Sequence, residues 1–133
     1  MAITKFTIRV YGILVNENKR VLVSDEFIRG DYFTKFPGGG MELGEGTRDC
    51  LRREFKEETG LDVFGLIPVF SRIDGDYFCV VYIGQWSGEI HKDDEHETGV
   101  VEWVDWEELK NGPFGAYNSE LQKHLIKLGL INE

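Results

Sequence analysis

Three glutamates crowd one short segment, Arg53-Glu54-Phe55-Lys56-Glu57-Glu58-Thr59-Gly60-Leu61. In a helix each residue advances by about 100°, so Glu54, Glu57 and Glu58 fall within an arc of roughly 100°. Carboxylates so placed repel one another, and something must offset the repulsion. Arg53 and Lys56 beside them could do so, and a charged helix face in water is a common sight. The other solution is a hard divalent cation. Mg²⁺ or Mn²⁺ takes oxygen ligands, which helix-borne carboxylates and phosphate oxygens both supply. Just upstream, Phe36-Pro37-Gly38-Gly39-Gly40 offers backbone with no Cβ in the way. A proline followed by three glycines reads as a loop with positive φ or close approach to another group, not as a helix or a comfortable strand.

The elements around this segment must hold it rigid. Thr47 to Thr59 reads as a helix, with Thr47 as N-cap, Asp49 in the first turn, Leu51 and Phe55 one turn apart, and Gly60 as the stop. Before it, Ile3 to Val15 is rich in β-branched residues, Asn16-Glu17-Asn18 reads as a turn, and Arg20 to Ser24 as the returning strand of a hairpin. Asp25 to Lys35 is less regular. After the helix, Val63 to Arg72, interrupted by Pro68, and Tyr77 to Trp86 form two strands around the hairpin signal Asp74-Gly75. Val100 to Val104 is a short strand. Asp105-Trp106-Glu107-Glu108 resembles a capping box opening a short helix, stopped by Gly112-Pro113. Asn118 can cap a last helix with Leu121, Leu125 and Leu128 on one face. This order predicts an α/β (α+β) architecture, a sandwich of helices on a mixed β-sheet.

A length of 133 residues suits one domain spanning 1–133, with about two thirds of its unfolded surface buried in a core. The net charge of −9 argues against long nucleic acid or an anionic membrane as partner. It leaves room for an anionic substrate if a divalent cation bridges the like charges. The longest uncharged stretch, Tyr77 to Gly88, is far shorter than the roughly 20 residues that a membrane-spanning helix needs. Met1 to Phe6 carries no apolar run of signal-peptide length, and two cysteines, Cys50 and Cys79, form no disulfide framework or zinc pattern. A soluble protein of the reducing cytoplasm is the expectation, with both cysteines as small core residues.

The glutamate segment and its upstream glycines resemble the signature of the Nudix hydrolases, which cleave nucleoside diphosphates linked to another moiety. That signature runs Gly, five residues, Glu, seven residues, then Arg-Glu-apolar-x-Glu-Glu-x-Gly-apolar. The chain supplies Gly39, Glu45, Arg53, Glu54, Phe55, Glu57, Glu58, Gly60 and Leu61 with no departure. The resemblance implies a Nudix-type α/β/α sandwich with a mixed β-sheet. It implies Mg²⁺ (or Mn²⁺) as cofactor, with Glu54, Glu57, Glu58 and the Gly38 carbonyl as ligands. Glu45 and Arg53 would be a supporting pair that orients the ligand glutamates, beside Gly39. The reaction would be attack of water on a phosphorus of a diphosphate linkage. The general base would be a glutamate of the acidic loop Lys92-Asp93-Asp94-Glu95-His96-Glu97, with Glu97 ahead of Glu95.

For the substrate, the compact chain looks most like the small enzymes that act on nucleoside triphosphates, normal or damaged. Tyr77 lies downstream of the box where relatives acting on dinucleoside polyphosphates often carry a tyrosine. Those substrates and nucleotide sugars are therefore alternatives, as is a non-catalytic nucleotide-sensing module. RNA 5′-end hydrolysis is a further alternative, which the net charge disfavours. Tyr77, Arg9 and Phe36 are the candidate substrate contacts. Aromatics such as Tyr32, Phe33, Trp86, Trp103, Trp106, Phe114 and Tyr117 are core residues by default, one or two of them free to stack on a nucleobase. Arg9, Arg29, Lys35 and Arg72 are either phosphate partners or surface cations. Monomer and homodimer are both open.

Overall fold

The computed structural model describes residues 7–28, 30–90, 100–109 and 115–133. It contains strands β1 (Thr7–Ile13), β2 (Val21–Ile28), β3 (Asp31–Lys35) and β4 (Gly38–Gly40), helix α1 (Thr47–Thr59), strands β5 (Asp62–Asp74), β6 (Tyr77–Ser87) and β7 (Val101–Val104), and helices α2 (Trp106–Leu109) and α3 (Gly115–Lys127). The first sheet has the order β4-β1-β6-β5 and the second β3-β2-β7. The first is mixed: β1 runs parallel to β6 and antiparallel to β4. Two cores follow from this layering. On one side, Leu51 and Phe55 of α1 pack with Val10, Leu14, Leu22 and Tyr82. On the other, Trp106 and Leu109 of α2 and Leu121 and Leu125 of α3 pack with Ile13, Val21, Val23 and Val81. Helices thus cover both sides of a mixed sheet, which is the expected sandwich.

The expected hairpin between the first two strands exists only as a turn. Asn16 Oδ1 accepts the backbone N–H groups of Asn18 and Arg20, and Val15 bridges Val21, but β2 then leaves β1 for the second sheet. The reason lies in Val21, Leu22 and Val23, which are all fully buried. Leu22 faces one core and its two neighbours the other, as a strand covered on both faces requires. Within Asp25 to Lys35, expected to be irregular, residues 25–28 end β2 and Asp31–Lys35 is its antiparallel partner β3.

The glycine run also departs from its reading as a loop. Gly38, Gly39 and Gly40 pair with Tyr11, Val10 and Arg9 as an edge strand. The positive φ and the close approach expected of the glycines are both present, but within a strand. At Gly38, with φ of +152°, a Cβ would fall on the Val10 carbonyl, and at Gly39 it would come within 2.6 Å of the Glu54 carboxylate carbon.

α1 spans the residues expected of it and closes on Gly60, whose φ of 80° and N–H bond to the Lys56 carbonyl form a left-handed cap. Its start differs: the N-cap is Gly46, without a side-chain cap, and the Thr47 hydroxyl instead meets the Tyr82 hydroxyl at 2.6 Å. Pro68 does not end its strand, because β5 is a sheet edge, and the register shifts on both sides of it. Asn118 is no cap either. It lies inside α3, buried, and its Nδ2 donates to the Leu109 carbonyl at 3.3 Å, tying α3 to α2. Leu128, expected on the buried face, follows the helix and is 53% exposed. Gly112-Pro113 and Phe114 lie outside the described residues. Among the described residues no helix is long and apolar enough to cross a membrane.

Candidate active site

α1 lies across β4, so its acidic face meets the three glycines. Arg53 organises that meeting. Its Nε and Nη2 donate to the two Glu45 carboxylate oxygens at 3.1 and 2.8 Å, a bidentate pair. Nη2 also reaches the Gly40 carbonyl at 3.1 Å, which ties the helix to the glycine strand. Nη1 donates to Glu54 at 3.0 Å and to Glu57 at 3.3 Å. One guanidinium therefore answers the repulsion between two of the crowded carboxylates. Lys56 turns the other way, toward the Gly60 carbonyl and Asp62.

Glu58, the third carboxylate, is held separately. Its Oε2 accepts the Gly38 N–H at 3.0 Å, and its Oε1 lies 3.6 Å from the Lys35 ammonium. The same ammonium donates to the Gly38 carbonyl at 3.3 Å and lies 5.5 Å from the centre of the Tyr11 ring. Lys35 is only 4% exposed. The sequence carries one faint sign of it: a charged residue directly before the buried Phe36-Pro37. Read from the sequence alone it is a phosphate partner or a surface cation, and burial removes the second of these.

The charges respond to this arrangement. Glu45 is held down to about 2, chiefly by the Arg53 hydrogen bond and next by the Glu42 backbone N–H. Arg53 is raised in turn, first by its bond to Glu45. Glu54 is raised because burial outweighs the attraction of Arg53. Burial and the nearby Glu45 push the Cys50 thiol up to about 12, so it stays protonated, a core residue like the buried Cys79.

Glu45, Arg53, Glu54, Glu57, Glu58, Gly38 and Gly39 thus come together in one place. Among the described residues no three acidic, histidine or cysteine side chains converge closely enough to form a ready-made metal cage, since the carboxylates turn to Arg53 and Lys35. The donor set still fits a hard cation. It consists only of oxygens, and the space of the missing Gly39 Cβ cradles the Glu54 carboxylate. The candidate substrate contacts divide. The Arg9 guanidinium stacks 4.7 Å over the ring of Tyr77, which is 42% exposed, and Arg9 sits beside Gly40 in the sheet. Phe36 is a core residue, 6% exposed and edge-on to Trp106, with no ring face turned outward. Asp93, Asp94, Glu95, His96 and Glu97, the loop expected to hold the general base, lie outside the described residues, as does Arg29.

Comparison with known proteins agrees with this geometry. Nudix hydrolase 2 of Arabidopsis thaliana is 35% identical over 127 residues, covering 88% of this chain. The chain spans 45% of that protein's length. An 8-oxo-dGTP diphosphatase of Buchnera aphidicola is 29% identical over 132 residues, covering 93% of this chain and 96% of that one. Among solved structures, a MutT NUDIX hydrolase from Burkholderia pseudomallei superposes with a TM-score of 0.72 at 19% identity, covering 89% of this chain and 97% of that one. The NUDIX domain family model matches residues 5–125, nearly the whole chain, and with the complete box running from Gly39 of β4 to Leu61 just after α1 this protein belongs to the Nudix hydrolases.

Proposed function

We propose that this hydrolase cleaves the diphosphate linkage of a small nucleotide in a Mg²⁺- or Mn²⁺-dependent reaction. The substrate is a nucleoside triphosphate, normal or damaged, and the products are a nucleoside monophosphate and pyrophosphate. The observation that carries this reading is the Arg53 fan, which gathers Glu45, Glu54 and Glu57 over the glycine strand. The end-to-end match to an 8-oxo-dGTP diphosphatase favours a triphosphate substrate.

In this reading Glu54, Glu57, Glu58 and the Gly38 carbonyl hold the cation. When bound, it neutralises phosphate oxygens and acidifies the attacking water. Arg53, fixed by Glu45, orients Glu54 and Glu57. Glu97, or failing it Glu95, takes the proton of the attacking water. Arg9 and Tyr77 contact the substrate beside Gly40. The whole chain acts as one domain in the cytoplasm, as monomer or homodimer, on small nucleotides and not on long nucleic acid.

The test is release of phosphate and pyrophosphate from a panel of normal and oxidised nucleoside triphosphates, diadenosine polyphosphates, ADP-ribose and UDP-sugars, with and without Mg²⁺. Metal-dependent turnover of a triphosphate is expected. Glu57→Gln should lower it by roughly a hundredfold or more while the far-UV circular dichroism stays unchanged. Turnover of another class would replace the substrate. Tight nucleotide binding without turnover would replace catalysis by sensing.

A further inference from the structure

Among the described residues at this site, Lys35 is a charged side chain that no role above uses. A lysine is almost never buried unless it is paired. Here the pairing is with two groups that the proposed function assigns as metal ligands: the Gly38 carbonyl at 3.3 Å and Glu58 at 3.6 Å. Both contacts come from one ammonium, and the Tyr11 ring lies against the same group. Glu58 completes the arrangement by accepting the N–H of the very residue whose carbonyl faces Lys35.

We propose that Lys35 is a resident cation of the metal site, which holds Glu58 and the Gly38 carbonyl in place while no metal is bound and weakens metal binding by direct charge repulsion. The proposal rests on the reading of Gly38 and Glu58 as ligands. Physically it has two halves. In the metal-free protein Lys35 supplies a countercharge 3.6 Å from the Glu58 carboxylate, whose side chain is 10% exposed. With a divalent ion at the same oxygens, the ammonium becomes a like charge a few ångströms away. Even at the dielectric constant of water, such a pair repels enough to alter affinity roughly tenfold. Lys35 is thus a positioning residue that trades metal affinity for a site already assembled.

The test uses Mn²⁺ alone, followed by electron paramagnetic resonance of the free ion and by calorimetry, on the full chain and on Lys35→Met and Lys35→Arg. Lys35→Met should bind Mn²⁺ roughly tenfold more tightly than the wild type. Lys35→Arg, which keeps the charge, should stay near the wild type. Without metal, Lys35→Met should melt lower than the wild type, and Mn²⁺ should raise its Tm by more. Unchanged or weaker Mn²⁺ binding in folded Lys35→Met overturns the proposal. So does a raised KM for nucleotide at unaltered Mn²⁺ affinity, which would make Lys35 a phosphate contact. Should Lys35→Met fail to fold, the wild type decides: the ¹⁵N signal of the Lys35 ammonium should move on titration with Mg²⁺, and an unmoved signal overturns the proposal. A wild-type protein that binds no Mn²⁺ at all removes the metal-site reading itself, and the proposal with it.

Discussion

A single guanidinium reconciles two of the three crowded charges of α1, those of Glu54 and Glu57. Arg53 bonds Glu45 with two nitrogens and shares the third between Glu54 and Glu57, while Gly40 takes one more bond. Two carboxylates of this network, Glu45 and Glu54, respond oppositely to pH. Glu45 is lowered from its ordinary 4.5 to about 2. Its ionised form therefore adds stability that is complete above about 4.5 and is lost as the pH falls toward about 2. Glu54 is raised, so the metal-free fold loses stability as the pH climbs from 4.5 through the folded value of that group. In metal-free protein at pH near 7, Glu45→Gln should lower the Tm and Glu54→Gln should raise it. Both differences should shrink toward pH 2, where the wild-type carboxyls become protonated. Thermal melts at stepped pH check both signs. The box residues themselves were legible because their types and spacing act within one helix and the turn before it. That Glu58 would turn from Arg53 to Lys35 was not, because Lys35 reaches it across the fold.

At the scale of elements, the site depends on how closely α1 sits on the sheet. Gly12 of β1 and Gly39 of β4 both lie beneath it, and each touches a different part. A Cβ at Gly12 would come within 2.5 Å of the Phe55 ring, and one at Gly39 would press on the Glu54 carboxylate. Gly12→Ala should therefore cost stability, about 1–3 kcal/mol as for other overpacked cores, with a milder effect on turnover. Gly39→Ala should do the reverse, lowering metal affinity and turnover more than Tm. Denaturant titrations alongside Mn²⁺ binding separate the two. The extent of helix α1 was legible, though not its N-cap, because its signals are local: Leu51 and Phe55 a turn apart and Gly60 after it. The glycine strand was not. Polyglycine has no side-chain pattern, and Gly38–Gly40 is a strand only because β1 offers its edge. Asn118 misleads for the same kind of reason, since its side chain answers a carbonyl on α2 and not the end of its own helix.

For the whole molecule, two cores on either side of a mixed sheet hold one acidic site together. The carboxylates are assembled in the folded chain and scattered in the unfolded one, so a cation that they bind stabilises the fold by mass action. Free Mg²⁺ or Mn²⁺ at a hundred times its dissociation constant should add about 2.7 kcal/mol, seen as a Tm that climbs with metal concentration. A chelator should reverse the rise, and Glu57→Gln should reduce it. Scanning calorimetry over a metal series makes the measurement. A net charge of −9 acts in the same direction, because cation binding also relieves self-repulsion.

The sequence alone determined the family, the helix that carries the glutamates and the chemistry that those carboxylates suit. It could do so because Gly39 to Leu61 is contiguous and its geometry follows from one helix and its entry. Only the tertiary structure decided the rest. It sent β2 to a second sheet, because Val21 to Val23 must be covered on both faces. It made Gly38–Gly40 an edge strand beneath the Glu54 carboxylate, where a Cβ has no room. It withdrew Phe36 into the core and brought Lys35 to Glu58. Each of these joins residues distant in sequence, and which distant residues meet is a property of packing that no local spacing contains.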